Sequence, residues 1–570
     1  MKIQKIGATL ALAGVLAAAS GCKDFYDVNK NPLSPTTTTL NTLLPVAQVS
    51  MASDLGDNVG GLSQYTMALM QQLYNTRGIG NFQQTGGSFG FPWSDLYSSM
   101  LVNNELIITQ GTKEQQWGYV GIAQLQKAYV FSQMVDLWGD VPYSQALKGV
   151  DNIAPRFDKD VEIYNGSADG SVQSLFALID EGLANLNKSA SNPGLTKSDL
   201  IYNGSATKWA RFGRTLKLKL YNQIRKTNSN ATVISQVTPL LSADLMGEGD
   251  DFELAYRNTT NPDNRNPGYV TDFSTNPENR IGRYFYEDML AKNDPRMPYY
   301  FFNQVALTGP PVTQQDYING PFVTVRPGST GQYTSSASTA SFQTVQGLYP
   351  IGGKYDDGKG GKTGTTAAQG KAEAPQRMLT YYARKFTEAE LQLTVFNDVA
   401  AARATLVEAL NASFRKVNTI ASNDGSPQLT AAQIAGYINR VAPNNQPITN
   451  SGPLDRFDRT HDDPTTAVPN PPYRPTTLEE KLEVIMYEKY VASFGYGVDV
   501  YTDFRRTKHP RIRVSQQVAD ASRGLLPDDG GTQANGVFPH RLYYPTSDLI
   551  LNPNSPKTQK DVNSTIFWER

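Results

Sequence analysis

The stretch that decides the fold is IYNGSATKWARFGRTLKLKLYNQI, residues 201–224. Its apolar residues recur every three or four positions, which is the spacing of residues on one face of an α-helix. These apolar positions are Trp209, Phe212, Leu216, Leu220 and Ile224. The basic residues Arg211, Arg214 and Lys217 fall between them. The stretch therefore predicts an amphipathic helix whose apolar face packs against neighbouring elements.

Three further segments show the same helical period. The first contains Leu125, Ala128, Tyr129, Ser132 and Val135. The second contains Leu406, Leu410, Phe414 and Val417. The third follows a Thr477–Glu480 capping box and contains Leu478, Leu482, Ile485, Met486 and Phe494. Helical segments separated by turns predict a mainly α protein built from helical hairpins, although no fixed repeat period is visible.

The middle of the chain has a different composition. From about Asn258 to Gly370 the helical pattern stops, apart from a short predicted helix over Tyr284–Ala291. Gly, Pro, Ser, Thr and Asn dominate, with isolated aromatic residues at Tyr317, Phe322, Tyr333, Phe342, Tyr349 and Tyr355. Loops of this length inside a domain are usually functional or disordered. The spaced aromatic residues favour an ordered, loop-rich binding excursion over a disordered linker.

The N-terminus has the layout of an export signal. Lys2 and Lys5 precede a short apolar run over residues 6–16, and Ala19-Ser20-Gly21-Cys22 follows. These four residues resemble a lipobox, with Ala19 where Leu is usual. We expect cleavage after residue 21 and acylation of Cys22, the only cysteine in the chain. Two or more acyl chains give stable membrane anchoring.

The alternative to this expectation is an ordinary secretory signal with an incidental cysteine. The pair Lys23-Asp24 resembles the surface-export signal of Bacteroidetes lipoproteins, which implies display outside the outer membrane. Residues 22–38 are then expected to form a lipidated tether.

Several functional classes are disfavoured by composition. A formal net charge of -1 provides no basic field for binding nucleic acid. The three histidines lack zinc-site spacing. Half of a P-loop at residues 360–363 lacks its first glycine. We expect no cofactor and no enzymatic activity, although Asp356-Asp357 could ligate Ca²⁺ in place of forming an ordinary solvated loop.

Six motifs, taken in order, carry a family resemblance. They are DLWGDVPY at 136–143, IYNG with KWARF at 201–212, NDPR at 293–296, FG with DFRRT at 494–507, PHRLYYP at 539–545 and LNPN at 551–554. Together with the lipobox they resemble the SusD/RagB family of outer-membrane nutrient-binding lipoproteins. The match is closer to its divergent SusD-like branch, which is starch-binding and associated with the outer membrane.

The resemblance implies a mainly α fold of tetratricopeptide-like helix pairs carrying a loop-rich binding region. It also implies a lid on a SusC-like TonB-dependent transporter that receives glycans, or sometimes peptides. The expected organisation is a signal peptide (1–21), a tether (22–38), a helical scaffold (39–257), the loop-rich region (258–380) and a C-terminal helical region (381–570). Within the motifs, we expect Gly139 and Pro142 to end a helix, and Arg505 and Arg506 to pair with carboxylates or carbonyls.

Aromatic residues next to polar side chains suit sugars, because a ring covers the apolar sugar face while amides bond the hydroxyls. Two stretches offer this mixture. The first supplies the candidates Tyr74, Asn81, Phe82, Phe89 and Trp93. The second supplies Tyr317, Tyr333, Phe342 and Tyr349. For Trp93 the alternative is core packing, because it begins a helical stripe.

The residues leave four functions open. The first is a glycan-binding lipoprotein that supplies a transporter. The second has the same architecture and captures peptides. The third is an extracellular glycoside hydrolase, because carboxylate pairs cannot be located from sequence. The fourth is a structural helical adaptor whose loop aromatic residues face protein.

Overall fold

The structure is a computed structural model of the 570-residue chain. It describes residues 38–75, 84–188, 190–273, 277–304, 318–319, 322–325, 343–361, 363, 370–442, 477–510 and 538–569. Most described residues are helical, as the sequence predicts. None of the helices in these ranges is both long enough and apolar enough to cross a bilayer.

The first part of the chain is a succession of helices. They are α1 (Leu40–Gly56), α2 (Leu62–Leu69), α3 (Gly90–Asp95), α4 (Val102–Lys113), α5 (Trp117–Trp138), α6 (Asp160–Asn165), α7 (Leu175–Leu186), α8 (Leu195–Ser198), α9 (Ala206–Gln223) and α10 (Asn230–Leu241). A π-helical turn over Leu96–Leu101 joins α3 to α4, so the two form one rod.

Shorter helices occupy the predicted loop-rich region, and long ones return after it. They are α11 (Pro267–Asp272), α12 (Arg283–Ala291), α13 (Met297–Tyr300), α14 (Leu348–Ile351), α15 (Tyr381–Thr394), α16 (Val399–Asp424), α17 (Ala431–Val441), α18 (Leu478–Ala492), α19 (Gly497–Thr507) and α20 (Thr546–Leu551). The helix predicted over Tyr284–Ala291 is confirmed as α12. Three short helices around it were missed, because one turn is too short to show a period.

The strands are short and form two-stranded antiparallel pairs. The pairs are β1 (Leu73–Asn75) with β5 (Asn279–Ile281), β2 (Val141–Pro142) with β3 (Phe157–Asp158), β4 (Phe252–Leu254) with β10 (Gln376–Leu379), β6 (Phe301–Phe302) with β9 (Val345–Gln346), and β7 (Ile318–Asn319) with β8 (Phe322–Val323). Most of them join distant parts of the chain, so they fasten the loop-rich region onto the helices.

Helix α9 shows why the sequence folds this way. Its apolar stripe residues Trp209, Phe212, Leu216 and Leu220 are buried in the main core, as is Ile224 directly after the helix end. The Ser205 side chain accepts a hydrogen bond from the backbone N–H of Lys208 and caps the helix. At the same end, the Asp199 carboxylate accepts from the indole N–H of Trp209 at 2.8 Å. The predicted amphipathic helix is therefore confirmed.

Neighbouring helices pack as antiparallel hairpins. Helix α5 packs on α4 and α7, α7 packs on α9, and α15 packs on both α16 and α18. Helices α5 and α7 lie close together. A Cβ on Gly121 would lie only 2.8 Å from the carbonyl oxygen of Gly182. One continuous apolar core extends through all three predicted body regions, and the boundaries proposed between those regions stay predictions.

The other helical stripes are confirmed, with two corrections. The stripes on α5 and α16 are buried throughout, and the Thr477–Glu480 capping box begins α18. Leu478 is 42% exposed, because it occupies the first turn of α18 on the solvent side. Phe494 is buried but lies after the helix, which ends at Ala492.

Candidate functional site

Four separate chain segments meet where the loop-rich region joins the helices. Strand β1 pairs with β5, with Asn75 opposite Asn279. The backbone N–H of Val325 donates to the Ile281 carbonyl at 3.1 Å, and the N–H of Thr344 donates to the Val323 carbonyl at 2.8 Å. We call residues 73–75, 279–282, 322–325 and 343–346 the loop base.

A buried amide network lies beneath the loop base. The Asn279 side-chain oxygen accepts from the Gln64 amide at 2.9 Å and from the Asn75 amide at 3.0 Å. The Asn279 side-chain nitrogen donates to the Asn58 carbonyl at 2.9 Å. All four residues are buried. Since buried polar groups fix their neighbours only when they are paired, this network holds the segment ends in one arrangement.

Asp272 extends the network. Its carboxylate accepts from the Gln346 side-chain amide at 2.8 Å and from the backbone N–H of Asn279 at 3.1 Å. Burial raises the pKa of Asp272 to about 6, and these hydrogen bonds oppose the rise. A carboxyl group with a raised pKa therefore lies against the loop base.

Arg280 lies across the strand pair from Tyr74 and is completely buried. Its Nε donates to the Gln343 side-chain oxygen at 2.8 Å, and its Nη1 donates to the Asn279 carbonyl at 3.2 Å. Its Nη2 has no hydrogen-bond partner among the described residues. Burial lowers the pKa of Arg280 to about 10. Sequence analysis missed Arg280, Asn279 and Asp272, because no spacing distinguishes them from ordinary loop residues.

The predicted ligand residues divide into three groups. Tyr74 lies in the loop base, where it is buried against Val325. Five others lie outside the described residues: Asn81, Phe82, Tyr317, Tyr333 and Phe342. Along the chain, residues 76–83 follow directly after Asn75, and residues 326–342 connect Val325 to Gln343. The chain therefore leads into both of these segments from the loop base.

Phe89 and Trp93 belong to the core, which corrects their assignment as ligand-binding candidates. They are 4% and 5% exposed. The Phe89 ring lies edge-on to Tyr65 with centroids 4.9 Å apart, and Trp93 lies edge-on to Trp138 at 5.1 Å. Both rings therefore pack in the core. For Trp93, core packing is the alternative that its position on a helical stripe predicts.

Tyr349 is corrected for the same reason. It is fully buried in α14, and its ring stacks on Tyr300 with centroids 4.8 Å apart. The Arg377 guanidinium lies over the Tyr349 ring, 4.0 Å from the ring centroid. The Tyr349 hydroxyl donates to the Ala492 carbonyl at 3.2 Å. Because Tyr349 is an isolated aromatic residue among typical loop residues, the sequence did not show that it packs in the core.

The carboxylates suggested for Ca²⁺ serve the loop itself. Asp356 accepts from the backbone N–H of Asn303 at 2.8 Å and of Gly358 at 2.9 Å. Asp357 forms an ion pair with Lys359 at 3.2 Å. Within the described ranges, no group of three or more metal-ligating side chains is found. The two carboxylates therefore brace the turn.

Motifs that carried the family resemblance meet at the end of α5. The Asp136 carboxylate accepts from the Trp568 indole at 2.9 Å, and the Asp136 carbonyl accepts from Arg505 at 2.5 Å. Arg541 donates to the Trp138 carbonyl at 3.2 Å. Gly139 ends the helix with φ +83°. We call this arrangement, residues 136–140 with Arg505, 541–544 and Trp568, the α5 lock.

The roles expected for Gly139, Arg505 and Arg506 are confirmed, whereas Pro142 lies in strand β2, after the helix has ended. Arg505 forms a buried ion pair with Glu569 at 3.2 Å, and Arg506 forms another with Glu390. The Tyr544 hydroxyl donates to the Asp140 carbonyl at 2.7 Å. These groups pair with one another and with the carbonyls at the helix end, so the lock is structural.

Solved structures share this architecture. A chitin-binding protein superposes with a TM-score of 0.67 at 19% identity, covering 93% of this chain and 100% of the other. A SusD/RagB family protein from Bacteroides thetaiotaomicron gives 0.65 at 20% identity, covering 94% and 99%. A chitin-binding SusD homolog from Flavobacterium johnsoniae gives 0.64 at 18% identity, covering 92% and 98%. At these identities the likeness establishes the fold.

Comparison with family models identifies the chain more directly. The family described as "Starch-binding associating with outer membrane" matches residues 30–545, which is most of the sequence. No curated protein sequence matches the chain. The family match covers the loop base and most of the α5 lock. The chain therefore belongs to the SusD-like family of starch-binding proteins that associate with the outer membrane.

Proposed function

We propose that this protein captures oligosaccharides at the outside of the outer membrane and delivers them to a SusC-like TonB-dependent transporter. The observation that carries the proposal is the loop base. Its buried amide network centred on Asn279 holds the ends of segments that contain predicted sugar-contacting residues. A rigid loop base reduces the entropy that is lost when the segments joined to it bind a ligand.

Sugar chemistry fits the composition of these segments. Phe82 and Tyr333 supply ring faces, and Asn81 supplies an amide beside Phe82. A ring face covers the apolar side of a sugar, and an amide exchanges hydrogen bonds with its hydroxyls. Tyr74 and Arg280 lie in the loop base, from which the chain leads into these segments.

Glycans are favoured over peptides by the comparisons. The family is described as starch-binding, and two of the similar structures are of chitin-binding proteins. We therefore propose a glucan or an N-acetylglucosamine oligomer as the ligand, and binding without catalysis. Capture of peptides by the same architecture is the second candidate.

The proposed location follows from the N-terminus. Acylation of Cys22 would anchor the chain, and Lys23-Asp24 would direct it to the outer face. The tether over residues 22–38 would leave the helical body free to move above the membrane. Such mobility suits a protein that transfers its ligand to a neighbouring transporter.

The ligand can be tested with the full-length lipoprotein extracted in detergent. Calorimetric titration would use malto-oligosaccharides, chito-oligosaccharides and a peptide panel. We expect binding of one of the two sugar series and no binding of the peptides. Binding of peptides alone would overturn the glycan assignment.

Variants then test the location of the site. Phe82→Ala and Tyr333→Ala should each weaken sugar binding about tenfold, in line with the more than about 1 kcal/mol lost when a central aromatic contact is truncated, and leave the melting temperature unchanged. The matched control is Tyr221→Ala, which removes a ring that stacks on Phe176 between α7 and α9. It should lower stability and leave affinity intact. The reverse result for Phe82 and Tyr333 would show that they are core residues.

A further inference from the structure

A cavity opens between the ends of several helices, on a part of the body that the proposed function does not use. Its volume is about 510 Å³, within the range of roughly 300–1,000 Å³ that small-molecule sites occupy. Its walls come from the turn between α9 and α10, the end of α15, the start of α18 and the last residue of α19. We call the space between residues 225–230, 394–395, 479–482 and 507 the polar cavity.

The polar cavity and the loop base lie toward opposite ends of α18. Glu479, in the first turn of α18, lines the cavity. Near the other end, the Tyr490 hydroxyl donates to the Met70 carbonyl at 2.9 Å, and the Tyr490 carbonyl accepts from the Gln72 amide at 2.9 Å, directly before β1. At about 1.5 Å of rise per residue, Glu479 and Tyr490 are about 17 Å apart along the helix. A ligand in the polar cavity would therefore occupy a separate site.

Lys226 lines the polar cavity without a carboxylate partner. Among the described residues, no acidic side chain forms an ion pair with its ammonium group. The pKa of Lys226 is lowered, first because the ammonium is partly desolvated and then because the Arg225 and Arg506 guanidinium groups repel it, while Glu479 attracts it more weakly. An anionic ligand would supply the close countercharge that this lysine lacks.

Arg225 brings further hydrogen-bond donors to the same wall. It is only 6% exposed, yet it lines the cavity. Its Nη1 donates to the Asn222 carbonyl at 3.3 Å and lies 2.7 Å from the Glu390 carboxylate. Both contacts use Nη1, and no hydrogen bond from Nε or Nη2 is found among the described residues. Burial lowers the pKa of Arg225 to about 10, so the group stays charged at neutral pH and can donate to an oxyanion.

One acidic residue, Glu479, also lines the polar cavity, but it is already paired. Its carboxylate lies 2.7 Å from Nε2 of His509, and Nδ1 of His509 contacts the Glu483 carboxylate. Burial lowers the pKa of His509, but the contacts with Glu483 and Glu479 outweigh burial and raise it. The imidazole is therefore protonated more readily than a free one, and its charge offsets that of the two acids. The unpaired charge of the wall is the positive charge of Lys226.

Neutral polar groups and two aliphatic side chains complete the wall. The polar residues are Asn228, Asn230, Thr394 and Thr507, and the aliphatic residues are Val395 and Leu482. Amides and hydroxyls exchange hydrogen bonds with sugar hydroxyls, and aliphatic surface covers the C–H groups of a sugar ring. None of the described lining residues is aromatic, so a ligand with a base or another aromatic ring to stack is not favoured.

We propose that the polar cavity binds a sugar acid, a small carbohydrate that carries one carboxylate. The carboxylate would pair with Lys226 and with the unused donors of Arg225. The sugar hydroxyls would bond to the amide and hydroxyl side chains of the wall. This inference goes beyond the proposed function, because it concerns a different site and an anionic ligand. A neutral glucan has no group that would use the two cations.

Calorimetric titration of the full-length lipoprotein in detergent tests the class of ligand. The probes are glucuronate and digalacturonate, with glucose as the neutral control and sulfate as the inorganic one. We expect binding of at least one uronate, weakened by added salt because an ion pair contributes to it. Equal affinity for sulfate would mean an adventitious ion only, and equal affinity for glucose would mean that the cations are not used. Either result, or no binding of either uronate, would overturn the proposal.

Substitutions test the location of the site. Lys226→Met should weaken uronate binding about tenfold or more, because a charge-assisted hydrogen bond is lost. It should leave the melting temperature unchanged, because no ion pair within the protein is broken. Asn230→Ala should weaken binding by a smaller factor. The matched control is Lys197→Met on α8, which removes another exposed lysine outside the cavity and should retain affinity. Unchanged uronate affinity in Lys226→Met would contradict the proposed site.

Acetylation of lysines by a low dose of acetic anhydride gives an independent readout. Peptide mass spectrometry would follow the modification of Lys226 and Lys197 with and without uronate. We expect uronate to protect Lys226 and to leave the modification of Lys197 unchanged. Protection of both lysines, or of neither, would count against binding in the polar cavity.

The outcomes for this site and for the proposed function are distinguishable. Malto-oligosaccharide and chito-oligosaccharide affinities should be the same for Lys226→Met and for the wild-type protein. Loss of uronate binding alone therefore concerns the polar cavity. Loss of neutral oligosaccharide binding in Lys226→Met would show that the two ligands share one site, which would overturn the inference of a separate cavity.

Discussion

The α5 lock and the loop base are both buried polar networks, but they are built from different groups. The lock pairs charged and aromatic side chains with carbonyls at the end of a helix, as Arg505 and Trp568 do with Asp136. The loop base pairs amides with amides around Asn279. The lock closes a helix end within the core, whereas the loop base joins the residues that flank segments 76–83 and 326–342 in the chain.

The difference has an energetic basis. Hydrogen bonds to charged groups are worth about 1.5–3 kcal/mol and neutral ones about 1 kcal/mol. A network of amides therefore positions its members but contributes less to the free energy of unfolding than a network of buried charges does. The lock should carry more of the global stability, and the loop base should carry more of the ligand binding.

The largest expected effect is on the lock. Arg505→Met would remove the guanidinium that pairs with buried Glu569 and donates to the Asp136 carbonyl, and it should lower the free energy of unfolding by about 3–5 kcal/mol, as for other broken buried pairs. Urea denaturation of the full-length protein measures this. Arg415→Met is the control, because its ion pairs with Glu248 and Glu408 are exposed and should contribute about 1 kcal/mol or less. Equal losses for the two variants would contradict the structural role of the lock.

A smaller loss is expected in the loop base. Asn279→Ala leaves the Gln64 and Asn75 amides without their acceptor and should cost about 2–3 kcal/mol. Oligosaccharide affinity should fall with it, because the loop ends are released. Asn411→Ala is the control, because it removes one hydrogen bond from a side-chain amide to the Val407 carbonyl in α16. Retained affinity in Asn279→Ala would separate the loop base from ligand binding.

The two buried arginines allow a direct comparison. Arg280→Met should change the free energy of unfolding by only about 1 kcal/mol, because relief of guanidinium desolvation offsets the two lost hydrogen bonds. The measurement is the difference between the Arg280→Met and Arg505→Met denaturation midpoints. A cost at Arg280 as large as at Arg505 would remove the energetic distinction between the two regions.

The buried carboxyls of the two regions make stability depend on pH. Burial raises the pKa of Asp136 to about 7 and that of Asp272 to about 6, above the usual value near 3.8. The folded state therefore holds protons that the unfolded state releases, and this stability is complete below about pH 4. It is lost as pH rises through 6 to 7, by at most about 1.4 kcal/mol per unit for each group.

Asp136→Asn and Asp272→Asn test this pH dependence separately. Each should flatten the fall in unfolding free energy between pH 4 and pH 7 relative to the wild-type protein. Asp272→Asn should also flatten any pH dependence of oligosaccharide affinity, whereas Asp136→Asn should not. A wild-type slope that persists in both variants would place the responsible carboxyls elsewhere.

Sequence reasoning succeeded where physics acts locally. The stripe from Trp209 to Ile224, the Thr477–Glu480 cap and the turn at Gly139 follow from helical period, capping and backbone conformation. The pairing expected for Arg505 and Arg506 follows from the cost of burying a charge alone. These features need no knowledge of distant partners.

Prediction of the site was less complete for a physical reason. A ring has the same chemistry in a core and on a ligand surface, so the sequence around Phe89, Trp93 and Tyr349 could not show that all three would be buried. The amides of the loop base were equally hidden, because Asn and Gln are common in loops and their partners are far apart in sequence. Asn279 meets Gln64 across 215 positions.

The α5 lock also has a consequence for the time course of folding. Asp136 and Trp568 are separated by 432 positions, so the helix end stays unsealed until almost the whole chain is available. Contacts of such separation form slowly and late. In the proposed export route such a delay would be useful, because a chain that crosses a membrane through a translocation channel must stay unfolded while it passes.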